Sequence, residues 1–385
     1  MQAILNINKP HSYELADILR EGINAYLDQN SICQVQAKAI KDIIACRSSQ
    51  MKGHLSRCNS CGFTEQSYNS CRNRHCNKCQ FIRQTQWADK LKSKLLPGKY
   101  FHLVFTVPDS LNPLFYLNQK LCYSLLFKVA WSALRDLCNN PRFLGAQAGA
   151  VAVLHTWSST LVYHPHIHML VPAGGLSEDG MEWIKTKNDY LVPVKVLSKV
   201  YRARFCDHLK TLLQKKVLRI PERTRTKELI STLFKKQWVV YAKKTGKTVD
   251  QALEYLARYT NRVAISNDRI RDISQDKVSF RYKDPKTGKY NRMMTLETGE
   301  FIRRFLQHIL PCGFYKIRYY GILAAANSKT RMEESLSLIG EPRDISELEG
   351  LNAYETYVHI TGKNPSMCGK CKLGRMIPYW PANTG

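Results

Sequence analysis

The chain has 385 residues, 44% of them hydrophobic and 10% aromatic, a composition that excludes an intrinsically disordered protein. No uncharged apolar run approaches the roughly 18 residues of a membrane-spanning helix, and the first residues lack a secretory signal pattern. Lys and Arg number 58 against 31 Asp and Glu, a net charge of +27. We therefore expect a cytoplasmic protein with no membrane partner that binds nucleic acid, although charge alone also fits a ribosome-associated or merely basic protein.

The first predicted elements are helical and are followed by a cysteine-rich stretch. Residues 12–45 are predicted to form helix, since Leu15, Ile18 and Leu19 recur at three- and four-residue spacing. Seven of the 13 cysteines fall between residues 33 and 79, several of them in C-x-x-C pairs. Without an export signal, this pattern indicates thiolate metal binding in a reducing compartment rather than disulfides.

The spacing of these cysteines predicts structural zinc. Fourteen residues separate two C-x-x-C pairs, which supply four thiolates for one Zn²⁺: Cys58, Cys61, Cys76 and Cys79. Four further ligands are enough for a second site: Cys46, His54, Cys71 and His75. The basic residues Arg72 and Arg74 indicate that this module contacts DNA. The last pair, Cys368 and Cys371, is left open, as a metal site alone or together with the N-terminal cysteines.

The middle of the chain alternates predicted helices and strands. A basic amphipathic helix runs from Phe81 to about residue 96, followed by a strand at 100–109 and a helix up to about residue 140. Two antiparallel strands come next, joined around Tyr163–Pro165. The remaining predictions are helices at 197–217 and 226–264, a strand pair at 277–296 turning at 284–288, and a helix near 298–310.

Histidines interrupt the second of the two antiparallel strands, in the stretch LVYHPHIHML at 161–170. Side chains two residues apart face the same way, so His166 and His168 form half of a metal site, and His155 on the neighbouring strand supplies a third ligand. Three histidines with open coordination positions are typical of catalytic metal sites. His164, at the start of the strand, is interpreted as supporting the ligands, and His102 either lines the same sheet face or packs.

Two tyrosines follow on a predicted helix. The spacing of Thr248 and Gln251 predicts a capping box, and it predicts Tyr255 and Tyr259 one turn apart, away from the apolar stripe. Arg258 and Arg262 share this polar side and are candidate phosphate ligands, with a solvated helix face as the alternative. Spacing alone favours ordinary structural tyrosines over nucleophiles.

Five motifs, in the order in which a known family has them, favour a nucleophilic role for the two tyrosines. The stretches SCRNRHCNKCQ, HLVFTVPD, LHTWSSTLVYHPHIHMLVPAGG, YLARYTNRVAIS and RYYGILA together are similar to the two-tyrosine, rolling-circle insertion-sequence transposases of the IS91 group. The pattern histidine–hydrophobic–histidine on a strand resembles the signature of the HUH endonucleases, which nick single-stranded DNA through a tyrosine. The likeness spans roughly residues 35–325.

The resemblance implies a fold and a domain plan. The fold class is α+β: an HUH endonuclease core, with an antiparallel ferredoxin-like or RRM-like sheet and packed helices, preceded by a zinc-binding module. We divide the chain into an N-terminal helical and zinc-binding domain (1–96), a nuclease core with the tyrosine helix (97–275) and a C-terminal β/helical extension and tail (276–385).

The resemblance also implies an activity. Mg²⁺ or Mn²⁺ held by His155, His166 and His168 would assist Tyr255 and Tyr259 in nicking and rejoining DNA through 5′-phosphotyrosine intermediates. The implied partners are single-stranded, hairpin-forming transposon ends and target DNA, in a bacterial, nucleoid-associated setting. No phosphate-binding G-x-x-x-x-G-K-[ST] loop occurs, so no nucleotide cofactor is expected.

Two alternatives remain at the level of sequence. One is an HUH plasmid replication initiator or relaxase, which would share the nicking chemistry. The other is a zinc-dependent nucleic-acid-binding protein without catalysis, which would leave the histidine strand and the paired tyrosines without a role.

Overall fold

The computed structural model describes residues 13–187, 190–222, 224–245, 251, 264–284 and 287–380. They form two compact units, each built from separate stretches of the chain. The described residues within 1–87, 262–309 and 347–385 form the cysteine-rich unit, and those within 88–261 and 310–346 form the histidine unit. The domain plan from sequence had consecutive segments instead. The difference arises because late strands return to sheets begun early in the chain.

The secondary structure of the described residues comprises the following elements. The helices are α1 (Leu15–Gln29), α2 (Gln34–Ala45), α3 (Phe81–Lys92), α4 (Asn112–Leu117), α5 (Gln119–Asn139), α6 (Val194–Gln214), α7 (Thr226–Lys235), α8 (Thr298–Gln307), α9 (Arg331–Ile339) and α10 (Ala353–Thr361). The strands are β1 (Gly53–Cys58), β2 (Thr64–Tyr68), β3 (Tyr100–Thr106), β4 (Gly149–Trp157), β5 (Tyr163–Pro172), β6 (Gly174–Leu176), β7 (Trp183–Lys185), β8 (Val240–Lys244), β9 (Ile270–Ser274), β10 (Lys277–Tyr282), β11 (Arg292–Glu297), β12 (Ile317–Gly321) and β13 (Met376–Tyr379). Short 3₁₀ turns lie at Ser49–Met51, Asp109–Leu111, Asn267–Arg269 and Ala325–Asn327. None of these helices combines the length and apolarity needed to cross a membrane.

The histidine unit is built on a five-stranded sheet in the order β12-β4-β5-β3-β8, with every neighbouring pair antiparallel. The main elements of this unit occur along the chain in the order β3, α5, β4, β5, α6 and β8, which is β-α-β-β-α-β, with α4, β6, β7 and α7 as insertions. This succession with this strand order is the ferredoxin-like arrangement, to which β12 adds one edge strand. The predicted α+β class with an antiparallel, ferredoxin-like sheet is confirmed.

The two faces of this sheet carry different side chains because residues alternate along each strand. Leu103 on β3, Leu154 on β4 and Ile167 on β5 belong to the hydrophobic core, as do many residues of the long helices α5 and α6. The helices thus cover one face. The alternate positions of the same strands present His102, His155, His166 and His168 on the other face.

The predicted turn between the two antiparallel strands was wrong. Tyr163–Pro165 do not form the turn between β4 and β5; they lie in β5, and the chain turns at residues 158–162. Ser158 makes this turn, because its Oγ accepts the backbone N–H groups of Thr160 and Val162 and its N–H donates to the Val162 carbonyl. A serine turn is a weaker sequence signal than glycine or proline.

The prediction of one helix over residues 226–264 was wrong for residues 236–245, which are not helical. The helix ends at Lys235, and residues 240–244 form β8 at the edge of the sheet, where Tyr241 pairs with Val104. Strand pairing with β3 therefore overrides the local helical preference. Residues 246–250 and 252–263 lie outside the described part of the chain.

The cysteine-rich unit combines helices with two small sheets. The predicted helix at 12–45 is divided into α1 and α2 at residues 30–33, and α1 packs against α8. One sheet has the order β11-β10-β9 and contains the predicted strand pair. The other has the order β13-β1-β2, so the last described strand pairs with the first.

Candidate metal centres

Three histidines meet on one sheet face because β4 and β5 pair in register. His155 lies directly opposite His166, and His168 shares the face two residues further along. One ring nitrogen of each lies within 4.8 Å of the others. The structure thus brings together the three histidines that the sequence singled out, which we call the histidine cluster.

Hydrogen bonds and stacking orient these rings. Nδ1 of His166 donates to the carbonyl oxygen of His164 at 2.7 Å, which leaves the Nε2 lone pair for an ion. Nδ1 of His168 and Nε2 of His102 are 2.8 Å apart, so one donates to the other. The His155 ring stacks on Trp157 with centroids 4.8 Å apart. His164 therefore contacts the cluster through its backbone, and His102 contacts it through a ring nitrogen.

Desolvation favours the neutral form of two of these imidazoles, the half-buried His166 and the buried His168. Desolvation lowers the pKa of His166 to about 4, against the opposing effect of its bond to the His164 carbonyl. Desolvation, and then the neighbouring imidazoles of His155 and His166, lower the pKa of His168 well below its ordinary value. A neutral imidazole is the form that binds metal, so both rings are ready to bind an ion at neutral pH.

The donor set fits a divalent cation whose coordination shell is completed by other ligands. Three imidazole nitrogen donors fill only part of the coordination shell of such an ion. The remaining positions are then open to oxygen atoms of water or of a phosphate group. The cluster contains histidines only, with no carboxylate among the described residues that meet there.

Four cysteines of the cysteine-rich unit form a closed set of ligands, Cys46, Cys71, Cys76 and Cys79, with all Sγ atoms within 4.8 Å of one another. We call them the first thiol cluster. The Sγ atom of Cys79 lies 3.2 Å from that of Cys46 and 3.6 Å from that of Cys71. Zn–S bonds of about 2.3 Å place tetrahedral sulfurs about 3.8 Å apart. The thiols therefore fit one Zn²⁺ after a small outward adjustment.

Hydrogen bonds among these thiols divide their pKa values. Bonds from the Cys71 and Cys76 thiols lower the pKa of Cys46 to about 7, although the bond with Cys79 and burial oppose the shift. The shared bonds also lower the pKa of Cys79, whereas they raise the pKa values of Cys71 and Cys76 above the ordinary value. Thiolates are the metal-binding form of cysteine. Cys46 follows the last residue of α2, and the other three lie in the loop between β2 and α3, so the cluster ties that loop to the helix.

The structure corrects the grouping of ligands that the sequence suggested. Cys58 and Cys61 do not meet Cys76 and Cys79; they lie with Cys368 and Cys371 in a second thiol cluster. His54 is exposed on β1, and His75 Nε2 accepts a hydrogen bond from Arg74, so neither histidine belongs to a described ligand group. C-x-x-C spacing fixes which two thiols are adjacent, but long-range folding decides which pairs meet.

The other predicted site residues divide into two sets. Tyr255, Tyr259, Arg258 and Arg262 lie outside the described residues. Arg72 and Arg74 are exposed near the first thiol cluster. Arg72 also lines an open cleft together with Arg47, Met51, Ser67, Tyr68, Asn69 and Ser70. Guanidinium groups beside an aromatic ring suit the phosphates and bases of nucleic acid.

Sequence reasoning left two contacts undecided that the structure resolves. One is the polar contact of His102 with His168. The sequence signal for it was strand alternation, which places His102 on the same face of β3 as Val104 and Thr106. The other is the meeting of Cys58 and Cys61 with Cys368 and Cys371, which no local pattern indicates.

Comparisons with known proteins agree with this picture. Residues 149–331, which include the histidine cluster, match a family described as "Putative transposase". Residues 18–107, which include the first thiol cluster, match a family described as "Transposase zinc-binding domain". No solved structure is significantly similar to the chain. The fold and the matched domains define a zinc-binding transposase, a class of enzyme that processes DNA.

Two relatives narrow the class to a family. The chain is 40% identical over 374 residues to "Putative transposase y4qJ" of Sinorhizobium fredii, with 94% of each chain covered. It is 27% identical over 316 residues to "Transposase for insertion sequence element IS801" of Pseudomonas savastanoi pv. phaseolicola, covering 77% of this chain and 72% of that one. The chain belongs to the IS91 family of insertion-sequence transposases.

Proposed function

We propose that this transposase nicks and rejoins single-stranded DNA in rolling-circle transposition, as an HUH endonuclease with two tyrosine nucleophiles. The observation that carries the proposal is the histidine cluster, in which two paired strands hold three imidazole nitrogen donors and leave coordination positions open. A purely structural site would be closed by a fourth ligand. Family membership favours this role over a plasmid initiator, a relaxase or a non-catalytic DNA-binding protein.

The histidines and tyrosines have separate tasks in this proposal. His155, His166 and His168 would hold Mg²⁺ or Mn²⁺, which when bound polarises the scissile phosphate and stabilises charge on the departing oxygen. The hydroxyl oxygen of Tyr255 or Tyr259 attacks phosphorus, the bond to the 3′ oxygen breaks, and that oxygen takes up a proton. The 5′ phosphate stays on the tyrosine, and this bond conserves the energy for rejoining without a nucleotide cofactor.

Two nucleophiles permit strand transfer. One tyrosine holds a cleaved transposon end while the other cleaves a second strand, and the freed 3′-OH of one strand then attacks the phosphotyrosine of the other. We propose single-stranded, hairpin-forming transposon ends and target DNA as the substrates. Arg72, Arg74, Arg258 and Arg262 would contact their phosphates, and the net charge of +27 fits association with the nucleoid.

We also propose that the first thiol cluster holds the structural zinc of the matched domain. Its four thiols leave no coordination position open, so this ion would stabilise the fold and take no part in the chemistry.

The test is formation of a covalent protein–DNA adduct. Labelled single-stranded transposon ends are incubated with Mn²⁺ or Mg²⁺ and with wild type, Tyr255→Phe, Tyr259→Phe or the double variant. We expect the adduct in wild type, and we expect the double variant to lose it.

Tyr241→Phe is the matched control, because Tyr241 is exposed and lies on the histidine face of the sheet, with its ring centroid 6.5 Å from that of His102. This variant should keep the adduct. An adduct that persists in the double variant and disappears in Tyr241→Phe would reassign the nucleophile. Absence of any adduct across many transposon ends would contradict the proposed function.

A further inference from the structure

The C-terminal segment returns to the beginning of the cysteine-rich unit. β13 pairs antiparallel with β1, from Leu55 opposite Tyr379 to Cys58 opposite Met376. This pairing carries the loop before β13 to the loop after β1, more than 300 positions earlier in the chain. Both loops contain a C-x-x-C pair, and the later pair lies outside both matched transposase domains.

The two loops share one hydrogen-bonded design. The N–H of Gly62 donates to the carbonyl of Cys58, and the N–H of Lys372 donates to the carbonyl of Cys368, both at 3.1 Å. Each loop is closed by a second bond of 2.8 Å, from Cys58 N–H to the Phe63 carbonyl and from Cys368 N–H to the Gly374 carbonyl. The residue after the second cysteine has positive φ in both, +71° at Gly62 and +58° at Lys372. Two matching turns of this kind present two pairs of thiols.

The four thiols meet at the spacing of a metal site. The Sγ atoms of Cys58 and Cys371 are 3.7 Å apart, and those of Cys61 and Cys368 are 3.8 Å apart. Four sulfurs around zinc are separated by about 3.8 Å when each Zn–S bond is about 2.3 Å. A disulfide requires about 2.05 Å between sulfurs, so neither pair is at bonding distance.

The backbone around these thiols is arranged for thiolates. The N–H groups of Ser60 and Cys61 point to Cys58 Sγ at 3.4 Å, and that of Gly374 points to Cys371 Sγ at 3.3 Å. Gly374 also permits the close approach of the loops, because a Cβ atom there would lie 2.5 Å from Cys58 Sγ. Asn59 links the loops further: its N–H donates to the Arg375 carbonyl at 3.0 Å, and its Oδ1 accepts the Arg375 N–H at 2.8 Å.

We propose that Cys58, Cys61, Cys368 and Cys371 bind a second structural Zn²⁺, in a zinc ribbon that the C-terminal segment completes. The metal then fastens β13 to β1, so docking of the C terminus depends on zinc. The proposal is independent of the nicking chemistry, because it concerns only the cysteine-rich unit.

The test measures metal content in the full-length protein. Zinc is replaced by Co²⁺, and thiolate-to-cobalt absorbance per chain is recorded, since imidazole ligands do not contribute to this band. Wild type should show the signal of eight thiolates, four from each thiol cluster. Cys368→Ser/Cys371→Ser should lose half of it and one Zn²⁺ per chain. The control Cys33→Ser/Cys312→Ser changes two exposed cysteines outside both clusters and should retain the full signal.

A ligand exchange and a chemical probe cover the case in which the serine variant fails to fold. Cys371→His should keep two Zn²⁺ per chain and lose about one eighth of the thiolate signal, because histidine also ligates zinc. In unmodified wild type, all four thiols should resist alkylation and become reactive together when zinc is chelated. A single Zn²⁺ per wild-type chain, unchanged metal content in the serine variant, or alkylation of Cys368 and Cys371 as fast as Cys312 would overturn the proposal.

Discussion

The β13-β1-β2 sheet of the cysteine-rich unit and the β4–β5 pair of the histidine unit stabilise their strands by different means. β2 is exposed along its whole length, and β1 buries only Cys58. By contrast, β4 buries every residue except Trp157, and β5 every residue except His164 and His166. The first sheet has too little apolar burial to be stable alone, so closed four-thiol sites would supply the missing stabilisation. The second belongs to a large hydrophobic core, so we expect its fold not to depend on a metal at the histidines.

Under the proposed function, the comparison accounts for the different roles of the cysteine and histidine ligands. Turns and loops bring four cysteines around one point, which closes a site and uses all of its coordination positions. Strand alternation brings three histidines to one side of an ion and leaves the other side open. Metal removal should therefore unfold part of one unit and only inactivate the other.

The largest effect is expected for Cys76→Ser. Loss of one buried thiolate should remove zinc from the first thiol cluster, and apparent zinc-binding free energies in small zinc modules are on the order of 10 kcal/mol. We expect a chain that lacks this zinc and has an unfolded or insoluble cysteine-rich unit, measured by metal analysis and thermal melting. The exposed Cys312→Ser serves as the control. A well-folded Cys76→Ser protein with wild-type zinc content would contradict a structural zinc at the first thiol cluster.

His166→Ala should remove most of the DNA-cleavage activity. Loss of one ligand should lower the cleavage rate by about 1,000-fold, the equivalent of several kcal/mol of metal assistance. DNA binding and melting temperature should change little, because the core face and the cysteine-rich unit are untouched. His164→Ala is the matched control, since it keeps the backbone carbonyl that accepts from His166 Nδ1 and removes only a neighbouring ring, whose centroid lies 5.1 Å from that of His166. Equal losses of binding and cleavage in His166→Ala would show a structural role for the histidines.

Acid should destabilise the metal-free histidine unit. Burial, and then His166, lower the pKa of His102 to about 4 from an ordinary value of 6.5. The unfolded chain therefore binds this proton first, and stability falls as pH decreases from about 6.5 to about 4, by about 3 kcal/mol for this group. Urea unfolding of metal-free wild type and His102→Gln between pH 7 and 4 measures the effect. Identical acid sensitivity in the two proteins would count against a neutral, buried His102.

The smallest effect is expected for His102→Ala at neutral pH. Its ring nitrogen contacts Nδ1 of His168 at 2.8 Å and so orients that ligand. Removal of such a partner weakens metal binding by about 10- to 100-fold. Adduct formation should need correspondingly more Mn²⁺ but reach the wild-type rate at saturation, and His102→Gln should restore part of the affinity. An unchanged Mn²⁺ requirement would mean that His102 only packs.

The elements that the sequence predicted well are those with a strong local pattern. The β10–β11 pair and α8 follow turn signals and amphipathic spacing, and the histidine cluster follows from alternation on two adjacent strands. The elements that it missed depend on distant partners. β8 and β13 are short strands whose identity comes from pairing with β3 and β1, respectively. The sequence analysis grouped Cys58 with Cys76, whereas the structure groups Cys58 with Cys368. This error also depends on a distant partner, because the spacing of cysteines does not determine which loops meet.

The most direct measurement is anomalous diffraction from crystals of the full-length protein grown with Mn²⁺, with data at the zinc and manganese edges. We predict manganese bonded to one nitrogen each of His155, His166 and His168, with coordination positions left open, and zinc within the two thiol clusters. Manganese absent from these imidazoles, or a fourth protein side chain closing that site, would contradict the division between a catalytic and a structural metal.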